Sequence, residues 1–104
     1  MDDVFLETGQ VWGLTDSRIL VIILCVETIM DEEIVHVGVF NCEDDEHPLH
    51  MPFSIQAFKD SIDTLITTQE EFVFPAGGYN YWKKEFMAKK AGVYDICVGE
   101  VLKL

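Results

Sequence analysis

Six side chains in this 104-residue chain are suited to metal binding or to nucleophilic and proton-transfer chemistry near neutral pH. They are Cys25, Cys42, Cys97, His36, His47 and His50. Three of them, Cys42, His47 and His50, fall in one short stretch beside Asp44 and Asp45. Their spacings are C-x4-H and H-x2-H, and Pro48 stiffens the second gap. Structural zinc sites pair their ligands as C-x2–4-C and H-x3–5-H. No second cysteine pair completes such a pattern, so neither a metal nor another cofactor is expected.

The same stretch carries Glu43-Asp44-Asp45-Glu46. A calcium loop of the EF-hand kind needs alternating ligands and a central glycine, and this run has neither. Four adjacent carboxylates repel one another, and a cationic partner relieves that repulsion. We therefore read Glu43, Asp44, Asp45 and Glu46 as a partner-binding surface. Asp31, Glu32 and Glu33 form a second one.

Catalysis finds little support. Cys25 and Cys97 lie in apolar runs, and Cys42 has four acids beside it, which weakens a thiolate. There is no G-x-S-x-G elbow. Ser54 reads as a helix cap and Ser61 as a helix-surface residue. Gly77-Gly78 lacks the lysine of a phosphate-binding loop. A chain this short leaves little room for a sugar cleft between paired carboxylates. In Tyr79-Asn80-Tyr81-Trp82-Lys83-Lys84, the four-residue gap from Trp82 to Phe86 points to anchoring of a short helix in the core, with a protein interface, where Tyr and Trp are enriched, as the alternative. No catalytic residue is assigned, and the chain is not expected to be an enzyme.

The elements that must position these groups follow from hydropathy. Val4 to Trp12 reads as a strand kinked near Gly9. Arg18 to Glu27 is almost continuously apolar, as in a strand covered on both faces. Ile34 to Phe40 reads as its hairpin partner, with Val35, Val37 and Val39 on one face and His36 and Gly38 on the other. Residues 41–50 form a loop. Ser54 caps a helix, with Phe53 and Phe58 at hydrophobic-staple spacing. Ile55, Phe58, Ile62, Leu65 and Ile66 continue that helix as an apolar stripe. Phe72 to Phe74 is a short strand, Tyr81 to Lys90 a shorter helix, and Val93 to Leu102 a final strand. The order β-β-β-α-β-α-β describes one α+β domain over residues 1–104. Its sheet is mainly antiparallel and free to curl into a small barrel, with one long and one short helix.

Bulk properties set the sign of any partner. The apolar share is 49%, enough for a core, and the net charge is −12. The first 80 residues hold two basic side chains against sixteen acidic ones, and the last 24 hold five against three. Such a surface repels phosphate backbones and anionic lipid, so neither nucleic acid nor membrane is an expected partner. The longest apolar run, Ile19 to Val26, is far short of the ~20 residues that span a bilayer. An acidic start lacks the basic residues of a secretory signal, and three cysteines make no disulfide framework. A cytoplasmic setting is the expectation.

Size and charge together resemble, at the level of type, the immunity proteins with which bacteria neutralise toxins. That resemblance implies a stoichiometric inhibitor covering a basic toxin surface, that of a nuclease domain above all. Two other readings stand beside it. One is a non-catalytic interaction or adaptor module. The other is a small enzyme or small-molecule binder using His36, His47 or His50 with a carboxylate.

Overall fold

A computed structural model describes residues 5–15, 19–40, 50–72 and 74–101. At its centre lies the hairpin of β2 (Leu20–Ile29) and β3 (Glu32–Phe40). Met30 and Asp31 turn the chain with φ of 53° and 66°. Two successive left-handed residues give a turn whose twist matches that of the strands. Along β3 the side chains alternate as expected. Val35, Val37 and Val39 enter one core cluster, while Ile34 joins a second.

β2 does not keep that alternation. Ile23 faces Val37, but Cys25 faces His36, so two residues of β2 oppose one step of β3. The bulge moves every later residue of β2 to the opposite face. Val26 therefore packs with Ile23 in the first cluster, although the two are three apart. Cys25, Glu27 and Ile29 share the face of His36 and Ile34.

Five strands form one open sheet, β4-β3-β2-β1-β5, with every pairing antiparallel. The outer strands are β4 (Met51–Ser54) and β5 (Ile62–Thr68), and β1 (Gln10–Leu14) lies next to β5. The α+β class and mainly antiparallel sheet are as expected, but the sheet does not close into a barrel. Helix α1 (Ile55–Ser61) and the single turn α3 (Val98–Val101) bring Phe58 and Val98 to the first cluster. Helix α2 (Ala76–Met87) covers the other face with Trp82 and Phe86.

Several boundaries differ from the sequence reading. The Ser54 hydroxyl caps α1 by accepting from the Ala57 amide at 3.3 Å, as expected. The helix then stops at Ser61, and residues 62–68 turn extended along β1. Ile62, Thr64, Ile66, Thr67 and Thr68 are β-branched and favour a strand. The apolar stripe, expected to be helical throughout, leaves Leu65 and Ile66 exposed. Ser61 is buried rather than on the surface. Its hydroxyl donates to the Ala57 carbonyl and accepts from the Val98 amide.

The relative helix lengths are also reversed, because α2 begins at Ala76, directly after Pro75. Pro75 suits a helix start, since its missing N–H is not needed there. The described residues at 72 and 74 form no strand. The expected final strand reduces to one parallel bridge between Tyr94 and Phe53. Beyond Phe53, β4 has only Ser54 left before α1 begins, so it offers a longer strand no further partner.

Gly9 is required by its backbone. Its φ is +94°, and an added Cβ would fall on the Gln69 carbonyl oxygen. Its amide donates to the Ile23 carbonyl and its carbonyl accepts from the Gln69 amide, each at 2.8 Å. Gly9→Ala is expected to cost about 1–3 kcal/mol of stability. A lower urea midpoint with an unchanged slope would show it. An unmoved midpoint would mean that β1 and β5 are not joined through Gly9.

Candidate functional site

The bulge in β2 creates the most concentrated group of titratable side chains among the described residues. Glu27 and His36, on adjacent strands of one face, meet at 2.7 Å between Oε2 and Nε2. On its other side, His36 Nδ1 lies 2.9 Å from Nε2 of His50, just before β4. The two rings lie nearly parallel, with centroids 5.1 Å apart. Helix α2 completes the group from above. Tyr79 donates its hydroxyl to Glu27, at 2.9 Å from Oε1 and 2.6 Å from Oε2, and Lys83 Nζ stands 3.6 Å from Oε1. Trp82 lies edge-on to the His36 ring and stacks on Phe86.

An ionised carboxylate only accepts, so Glu27 assigns the protons of this chain. His36 donates from Nε2, its Nδ1 accepts, and His50 donates from Nε2. Burial by itself would raise the Glu27 pKa. The Tyr79 hydroxyl, the charges of His36 and Lys83 and the His36 hydrogen bond outweigh it and hold the carboxyl below its ordinary range. Burial lowers the His36 pKa even against the pull of Glu27. Burial, with the neighbouring charge of His36, lowers His50 to about 4. Near neutral pH the carboxylate is therefore charged and both rings are neutral.

Cys25 sits beside this group, half-buried. Burial and then the Glu27 charge push its thiol up, while Lys83 pulls it down. Cys25 Sγ, a Glu27 oxygen and a His36 ring nitrogen all lie within 4.8 Å of one another. A nearby cavity of about 400 Å³ is lined by Pro52, Trp82, Ala91, Gly92, Val93 and Tyr94. It holds none of the perturbed groups.

The acids chosen from sequence lie elsewhere. Asp31, Glu32 and Glu33 occupy the tip of the β2–β3 hairpin and are exposed, beside exposed Met30. Glu43, Asp44, Asp45 and Glu46 fall outside the described residues, as do Cys42 and His47. Among the described residues Glu27 is the one carboxylate in an ion pair. It was not among the acids singled out, although an acid at the end of an apolar strand needs a partner. Trp82 and Phe86 do anchor α2, as their spacing indicated. Among the described residues no helix is long and apolar enough to cross a membrane. Comparison with protein-family models, with curated proteins and with solved structures finds no match to this chain.

Proposed function

We propose that this chain is an acidic protein-binding inhibitor of the immunity-protein type, which covers the basic surface of a toxin, a nuclease domain above all. The observation that carries this reading is the state of its acids. The net charge is −12, and apart from Glu27 no carboxylate among the described residues is ion-paired. Their field is not spent inside the fold. Asp31, Glu32 and Glu33 project from a hairpin tip, and Met30 beside them adds an exposed apolar contact. A negative edge of this kind speeds encounter with a cationic protein and repels nucleic acid.

A His–carboxylate small-molecule site is the second reading, favoured by the meeting of Glu27, His36 and His50. It is weaker because His36 is fully buried and protein groups occupy both its ring nitrogens. A general base has to reach a substrate proton.

The test is capture from the native source at low salt, elution with rising salt, and assay of the eluted protein with one equivalent of this chain. A basic enzyme silenced at equal stoichiometry is the expected result. Reversing Asp31, Glu32 and Glu33 to lysine is expected to slow its association about tenfold at low salt. The difference should fade at high salt. An acidic partner, or an enzyme indifferent to the added chain, would overturn the proposal.

A further inference from the structure

We propose that Cys25, Glu27 and His36 form a binding site for a divalent transition-metal ion, with Zn²⁺ the best match. The set joins a thiol, a carboxylate and an imidazole, the three donor types that zinc accepts. They converge because the β2 bulge turns Cys25 and Glu27 to the face of His36. Their ligand atoms already lie within 4.8 Å of one another. Two zinc ligands with ~2 Å bonds in tetrahedral array are ~3.3 Å apart. The 2.7 Å contact between Glu27 and His36 thus needs only a small opening to admit an ion.

The surroundings are also those of a metal centre. Residues behind the ligands commonly hold a ligating histidine by its second nitrogen and a carboxylate by its second oxygen. Here His50 holds His36 Nδ1, and Tyr79 holds Glu27 Oε1. Lys83 opposes a cation. Its side chain is 44% exposed, however, and is free to swing into solvent while the ion takes over the neutralisation of Glu27. Cys25 is only half-buried, which leaves an entry path. Three protein ligands leave a fourth position for water.

The protons balance simply. The Cys25 S–H bond breaks, a sulfur–metal bond forms, and one proton passes to solvent. His36 moves its ring proton from Nε2 to Nδ1 and then donates to His50. His50 shifts its own proton in the same sense, from Nε2 to Nδ1, so the pair neither gains nor loses one.

Cobalt(II) titration of the full chain tests the site, because a thiolate ligand gives a charge-transfer absorption. The band is expected in the parent chain and in Cys42→Ser and Cys97→Ser, and is expected to vanish in Cys25→Ser. His50→Ala, which removes the supporting hydrogen bond and the ring lying against His36 but none of the three ligands, should weaken zinc about tenfold. In the parent chain, zinc should slow alkylation of Cys25 about tenfold, mapped by mass spectrometry, since a bound thiolate is a poor nucleophile. Absence of the band, its survival in Cys25→Ser, or its loss in Cys42→Ser would each overturn the proposal.

Discussion

Replacing Glu27 with alanine is expected to destabilise the fold by about 3 kcal/mol, which is large against the ~5–15 kcal/mol that holds a domain together. The loss is threefold. His36, fully buried, is left with a ring nitrogen that has no partner in either tautomer. The Tyr79 hydroxyl loses its partner, and with it α2 loses a fastening to the sheet. Lys83 is exposed and adds little. Glu27→Gln should behave differently. A neutral amide still accepts from Tyr79. Its NH₂ can donate to His36 Nε2 if the ring moves its proton to Nδ1, where His50 Nε2 becomes the acceptor. That variant is expected to lose about 1 kcal/mol. Urea unfolding of the two variants separates the cases. Equal, small losses would mean that the carboxylate does not hold α2 in place.

The hairpin could be read from the sequence because its signal is local. Val35, Val37 and Val39 alternate with His36 and Gly38, and the preceding run is apolar throughout. The Ser54 cap was equally legible, and Phe53 and Phe58 are indeed both buried. The bulge was not. An apolar run without alternation looks the same whether or not its faces exchange partway along. That exchange is what carries Glu27 to His36. Tyr79 comes from 52 residues further on, beyond any local pattern. A trace did exist. Glu27 and His36 each interrupt an apolar stretch on neighbouring strands, and such groups are costly to bury without a partner. The second half of the presumed helix failed for another reason. Its apolar spacing fitted a helix, but its β-branched residues fitted the open edge of β1 better. Tertiary pairing decided between them.

Acid is expected to unfold this protein more readily than surface carboxylates alone would suggest. His50 is held at about 4 against an ordinary 6.5, so the unfolded chain binds its proton first as pH falls. His36 is lowered in the same direction. The stability due to both rings is therefore full above pH 6.5 and is lost as pH falls toward 4. Glu27, lowered from 4.5, adds a further loss below that value. The groups facing the two rings are Glu27 and Cys25 on β2 and Tyr79 and Lys83 on α2. Of these only Glu27 titrates on the acid side, and its lowered pKa keeps it charged while the histidines take up their protons. His50 alone should remove about 2 kcal/mol, after discounting for its partial exposure. The many surface acids work the other way, because protonating them relieves repulsion in a chain of net charge −12. The window from 6.5 to 5 lies just below the ordinary imidazole value, where the histidines weigh most. Urea midpoints measured across that window, with a chelator present, should fall with pH. His50→Gln should flatten the slope. A midpoint that rose between pH 6.5 and 5 would mean that His36 is charged and bound to Glu27 as an ion pair. The protonation pattern assigned to the whole cluster would then be reversed.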